Sequence, residues 1–291
     1  MTTVPDHFSR QFTSNVELLL QQRTPYFMGA VNQQSFTGEA AQVVKQFGLV
    51  EMQDKTGRFE DTMFSELQHL QRWIFPDDYD LALPIMKEDE IRMLGSLQSP
   101  YVEAMRAAYA RKWDDIVINA FFATAQTGKN GATTTAFPAS QQVAANAGAA
   151  AATGLNVEKL IQARQLLVQA EVDLRSEKPY IAVTARQISD LLRTTEVTNA
   201  DYAGLKRLES GEVDTFMGFR FIRSERLLLN GSNQVRCPVW VPSGIVLGTW
   251  NGLETRIGER ADKKYITQVY MRATIGATRA QETKVVEIPC A

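Results

Sequence analysis

Between Ser99 and Gln126, apolar residues recur at Met105, Tyr109, Trp113, Ile116, Ala120 and Phe121. That spacing is one face of a long α-helix. Ser99 has N-cap chemistry, and Pro100 sits where a missing amide proton costs nothing. Glu103, Arg106, Arg111, Asp114 and Asp115 fall mostly on the opposite side, and Gly128 closes the pattern. A helix of about seven turns with a single apolar stripe must back onto a sheet or another helix.

The residues before it cannot build a core of their own. Residues 1–37 read as an arm. Ser14 and Glu17 fit a capping box for a short helix from Asn15 to about Gln22, which Thr24-Pro25 stops. A helix of two turns is marginal alone in water and needs a surface to lie on. Residues 38–84 read as a long extended excursion: Val43, Val44, Phe47, Leu49, Val50 and Met52 suggest strand, Asp54-Lys-Thr-Gly57 a turn, and Trp73-Ile-Phe75 a returning strand. Met63, Leu67, Leu70 and Ile74 also fit a helical period, so a short helix stays open there.

Beyond the long helix, residues 127–154 are rich in Gly, Thr and Ala and carry one charge, Lys129. Thr133 to Phe137 reads as strand within loop. Asn156 is the expected N-cap of a second helix, with Leu155 and Leu160 as its hydrophobic staple and Leu160, Ile161, Leu167 and Val168 as its buried stripe. From Lys178 the pattern is mixed α/β. Tyr180–Thr184 is a strand, and Thr184-Ala-Arg-Gln187 a capping box opening a helix with Ile188, Leu191 and Leu192. Phe216–Arg223 reads as one strand. Val239–Val241 and Ile245–Leu247 read as a hairpin around Pro-Ser-Gly, Lys263–Ile275 as a long strand ending in a turn at Gly276, and Thr283–Ile288 as a last strand.

Composition narrows the function. Lys plus Arg is 31 and Asp plus Glu 33, a formal net charge of −2, so no global attraction to nucleic acid or anionic membrane exists. Two cysteines, Cys237 and Cys290, are too few for a disulfide framework or a thiolate zinc site. Cys237 reads as a small buried hydrophobe and Cys290 as part of a fraying end. The first residues lack a signal-peptide pattern and no run is apolar enough to span a bilayer, which predicts a soluble intracellular protein with no membrane partner. No catalytic constellation emerges. Thr127-Gly-Lys-Asn130 lacks the rest of a phosphate loop, His69 has no motif partner, and Asp77-Asp78-Tyr-Asp80 lacks a calcium-loop spacing and reads as a solvated turn. Lys87-Glu-Asp-Glu90 reads as the acidic first turn of a short helix ending at Gly95. No enzyme, cofactor or metal is expected.

The order of arm, excursion, long helix, mixed α/β segment and closing strands resembles that of tailed-bacteriophage major capsid proteins with the Hong Kong 97-type fold. Arg72-Trp-Ile-Phe-Pro-Asp-Asp-Tyr-Asp80, Gln98-Ser-Pro-Tyr101, Phe137-Pro-Ala-Ser-Gln-Gln142, Gly218-Phe-Arg-Phe-Ile222 with Ser224-Glu-Arg226, and Ile275-Gly-Ala-Thr-Arg-Ala-Gln-Glu282 are similar to segments of one such family, in its order. The resemblance implies an α+β capsid fold. Its parts would be an N-terminal arm over 1–37, an extended loop over 38–84, and a peripheral domain over 85–154 with its spine helix at 99–126. An axial domain over 155–260 and C-terminal strands over 261–291 returning to the peripheral domain would follow.

It further implies a major capsid protein that assembles with itself, as pentamers and hexamers, into an icosahedral virion shell around double-stranded DNA. Assembly would take place in the host cytoplasm. Contact with the DNA would be nonspecific, and a portal protein and a separate scaffolding protein would be partners, since no long charged N-terminal extension is present. Phe8, Phe12, Leu19, Phe36, Phe47, Lys55, Arg58 and Phe59 are the expected inter-subunit contacts. The family prototype cross-links its shell through a Lys–Asn bond; Lys55 lies near the loop tip, but no motif marks an Asn partner. The alternatives are an encapsulin-type compartment shell and, from another class, a soluble α/β enzyme.

Overall fold

The computed structural model of the chain describes residues 22–48, 69–85, 98–193 and 215–291, with the isolated positions 50, 52, 54, 64, 66 and 67. The capping box at Ser14–Glu17, the turn at 55–57 and the acidic first turn at Lys87–Glu90 lie outside these residues. Of the described residues, one compact unit takes 22–25, 78–85, 98–112 and 251–274, and a larger one takes 26–77, 113–250 and 275–291.

The larger unit is organised by a five-stranded sheet of order β13-β10-β7-β9-β8. Its strands are β7 (Tyr180–Val183), β8 (Thr215–Phe216), β9 (Phe219–Arg223), β10 (Val235–Trp240) and β13 (Val285–Cys290). Two helices accompany it, and both start as local chemistry dictates. In α2 (Val157–Gln169), Asn156 accepts the Lys159 amide at 2.8 Å, and Leu155 and Leu160 are buried beside the cap. In α3 (Ala185–Arg193), the Thr184 amide donates to Gln187 Oε1 at 3.2 Å, half of the expected capping box. Lys159 is wholly buried. Its ammonium donates to the Thr153 and Pro289 carbonyls at 2.7 and 2.8 Å, and burial lowers its pKa.

At the centre of this unit Trp240 stacks near Tyr180 (5.9 Å between ring centroids), Phe27 (5.7 Å) and Phe121 (4.5 Å). Its indole donates to the Ala30 carbonyl at 2.7 Å. Phe27 and Ala30 therefore bring the latter part of the expected arm into the core. Strand β1 (Asn32–Ser35) then runs parallel to β11 (Ile245–Arg260), from Asn32↔Val246 to Ser35↔Thr249. A second sheet has the order β2-β3-β5-β6, made of β2 (Ala41–Phe47), β3 (His69–Ile74), β5 (Ala125–Thr127) and β6 (Thr133–Thr135).

The smaller unit packs the first part of α1 (Gln98–Phe122) against β4 (Asp77–Ile85) and β12 (Ile266–Arg279). Ile85, Met105, Val269 and Met271 are its buried centre, joined by Leu81, Leu83, Tyr101, Val102 and Tyr109. Along β12 Val269, Met271, Ala273 and Ile275 are buried on one face, whereas Tyr265, at the start of the strand expected from Lys263, is exposed and precedes Ile266, where β12 begins.

Several expectations are corrected. The long helix ends at Phe122, and Ala125–Thr127 pairs as strand with β3 and β6, so Gly128 does not close it. Asp114, expected on the polar side, is fully buried and accepts the Tyr26 and Phe27 amides at 2.9 and 3.3 Å. On α2, Ile161 and Val168 face solvent. The open choice at Leu70–Ile74 resolves to strand, and Asp77–Asp80 opens β4 rather than forming a turn.

The expected strand Phe216–Arg223 is broken at Met217 and Gly218, both at positive φ, into the tight β8–β9 hairpin. β10 and β11 do not pair; the 3-10 turn Pro242–Gly244 sends them into different sheets. Gly276 lies within β12, because only a residue lacking Cβ fits there: a Cβ would come 2.4 Å from the Phe75 carbonyl oxygen. Cys290 does not fray. It pairs with Val235 and is buried, as is Cys237.

Candidate functional site: an extended hairpin and its root

β2 and β3 are the two antiparallel sides of the excursion, in register from Ala41↔Ile74 to Phe47↔His69, with a bulge between Gln42 and Val44. Its described positions expose both charged residues, Asp54 and Glu66, and apolar ones. Val50, Met52, Phe64, Leu67 and Leu70 are all exposed, Met52 and Phe64 almost completely. Isolated exposed apolar side chains are ordinary, but five on one excursion make it a candidate contact surface.

The hairpin's root is tightly built. Trp73 pairs with Gln126 and donates its indole N–H to the Gly128 carbonyl at 2.8 Å. The Phe75 ring lies against Gly131, where a Cβ would fall 2.9 Å from it, and the Phe75 carbonyl crosses Gly276. Arg72, almost fully buried, donates to the Glu282 carboxylate. Arg279, wholly buried, lies 3.7 Å from the other Glu282 oxygen. Its guanidinium also donates to the Phe121 and Ala123 carbonyls at 2.8 and 3.0 Å, the negative end of α1. Burial pulls the Arg279 pKa down despite that carboxylate.

The smaller unit displays a second hairpin, the far parts of β11 and β12, with Leu253, Ile257 and Tyr265 exposed. Glu254 accepts from Arg272 Nε at 2.8 Å and from Arg256 Nε at 2.7 Å, and these guanidiniums, the Arg272 bond first, hold its carboxyl at about 2. At the tip Arg260 grips Asp262 with two bonds of 2.9 and 2.5 Å. Lys264 and Tyr265 follow with φ of 53° and 56°, a left-handed pair without glycine.

Among the described residues no cluster of His, Cys, Asp and Glu could hold a metal ion, and no helix is long and apolar enough to cross a membrane. A polar cavity of about 330 Å³ lies beside the turn after α2. Within it the Ser243 hydroxyl donates to Glu177 at 2.7 Å and accepts from Lys284 at 2.9 Å, an arrangement that ties three turns together.

Of the expected contact residues, Phe47 falls in β2. Phe36 packs on Trp250 of its own chain, ring centroids 5.4 Å apart, over Gly248. Phe8, Phe12, Leu19, Lys55, Arg58 and Phe59 lie outside the described residues. Sequence reasoning did not single out Arg72, Arg279 and Glu282 as a group. Arg72 and Glu282 are 210 positions apart, and no local pattern marks a pair at that separation.

A sequence profile of the family described as "Phage capsid protein" matches residues 4–291. No curated protein sequence matches the chain. Among solved structures, the capsid of cyanophage P-SCSP1u is similar with a TM-score of 0.72 at 19% identity, over 100% of this chain and 95% of that one. The capsid of Ralstonia phage GP4 is similar with a TM-score of 0.74 at 11% identity, over 100% and 98%. The cyanophage Pam1 capsid subunit gives 0.75 at 10% identity, over 100% and 98%. At such identities these likenesses establish the fold, an α+β capsid fold from end to end.

Proposed function

This chain belongs to the phage capsid protein family and is a structural, non-enzymatic subunit of a phage head, and from that premise we propose how it builds one. Identical copies tile an icosahedral shell as pentamers and hexamers, and the extended hairpin of each copy lies over a neighbour. The observation that carries this reading is the exposed apolar run Val50, Met52, Phe64, Leu67 and Leu70. Covering such surface contributes roughly 25 cal/mol per Å², and a closed shell multiplies a modest gain over every copy. Tyr265, Leu253 and Ile257 on the second hairpin are further candidates for contact.

In this reading the sequence-derived parts keep their roles: arm over 1–37, extended loop over 38–84, peripheral domain over 85–154, axial domain over 155–260, closing strands over 261–291. Phe8, Phe12, Leu19, Phe47, Lys55, Arg58 and Phe59 extend the contact set. The shell encloses double-stranded DNA through nonspecific, salt-sensitive contacts. A scaffolding protein and a portal protein take part, and assembly occurs in the host cytoplasm. Electron microscopy of particles from cells expressing the chain with its neighbouring phage genes is the test. Closed, angular shells containing DNA are expected. A compact monomer or small oligomer at every concentration would overturn shell formation, and shells filled with a cargo protein would overturn the assignment of a genome.

A further inference from the structure

We propose that Arg72, Glu282 and Arg279 form a positioning triad that sets the direction in which the extended hairpin leaves the body, and thereby the curvature of the assembled shell. The inference rests on the reading that this hairpin covers a neighbouring copy. Its own basis is the geometry of the root. A hairpin displaying apolar side chains can reach a neighbour reproducibly only if its first residues are held in one orientation. Backbone pairing alone does not ensure this, since strands twist and bend easily at bulges. One such bulge lies at the root, between Gln42 and Val44, opposite Trp73 and Arg72.

The triad supplies what pairing lacks. Arg72 belongs to β3, Glu282 to the turn between β12 and β13, and Arg279 to the end of β12, where its guanidinium also takes the carbonyls that end α1. One carboxylate thus joins the hairpin to the end of the long helix. Buried ion clusters add little net stability, because desolvation offsets their attraction, but here Arg72 donates to one Glu282 oxygen while Arg279 lies 3.7 Å from the other, so the carboxylate holds the cation of the strand at a set distance from the anchored one. Removing the carboxylate leaves two buried cations facing one another. Arg72, on the strand, is the partner able to yield, since Arg279 stays anchored on the Phe121 and Ala123 carbonyls.

Glu282→Gln keeps the side-chain shape and removes the charge; Arg72→Lys keeps the charge and removes the planar fork. Hydrogen exchange on each soluble subunit, followed by imaging of assembled particles, reads both halves of the proposal. Both variants should exchange the β3 and β5 amides about tenfold faster than wild type, while β7 and β9 stay as protected as before. Both should yield shells of mixed size or open sheets. Unchanged exchange at the root overturns the positioning role, and a uniform wild-type diameter despite faster exchange overturns the link to curvature. Faster exchange at β7 and β9 as well would make the triad a general stabiliser and also overturn the proposal. If wild type itself forms no shell, the covering role of the hairpin fails, and the exchange comparison still decides whether the triad holds the root.

Discussion

Trp240 shows how one side chain can organise a core that no local pattern reveals. Its ring meets Phe27, Phe121 and Tyr180, brought from three distant parts of the chain, and its N–H satisfies the Ala30 carbonyl. Trp240→Ala removes the ring and leaves that buried carbonyl unpaired, so denaturant unfolding of the soluble subunit should show a loss of roughly 3–5 kcal/mol. Ile161→Ala, on the exposed side of α2, should cost under about 0.5 kcal/mol in the same measurement. Asp114 makes the converse point. Its place in the helical pattern put it on the polar face, yet it is buried because two backbone amides of the incoming segment need an acceptor there.

At the scale of elements, α2 and α3 begin where their local signals put them, whereas α1 begins at Gln98, one residue before its expected cap at Ser99. The N-cap at Asn156, the Gln187 half of the capping box at Thr184, and the alternation along β12 depend on neighbours a few residues away. The breaks are different. α1 stops at Phe122 because the following residues join a sheet, and β12 continues through Gly276 because another backbone crosses it. The β11–β12 hairpin carries its own pH dependence. Glu254 titrates at about 2 in the fold, below an ordinary carboxyl near 4.5, so as pH falls the unfolded chain takes up the proton first. The stabilisation is therefore complete above pH 4.5 and lost as pH falls through about 2. Protection of residues 251–274 against hydrogen exchange, taken relative to the intrinsic rate at each pH, should fall across that window in wild type, and Glu254→Gln should weaken that dependence, the part held by Asp262 on Arg260 remaining.

At the scale of the molecule, deleting residues 50–62 should leave a subunit that still folds, with a cooperative unfolding transition, since the β2–β3 root and both cores lie outside the deletion. It should build no stable shell by sedimentation or imaging; normal shells would refute the covering role. The family and the α+β class were readable from residues in order, because capping, alternation and apolar periodicity act over a few positions and the family's strings are contiguous. The pairing of strands was not. Val239–Val241 and Ile245–Leu247 look like a hairpin yet enter different sheets, Cys290 is locked by β10 instead of fraying, and Arg72 finds Glu282 from the far end of the chain. Such partners are chosen by which surfaces exclude water together and which buried charges and amides can be matched, and those conditions exist only once distant segments have met.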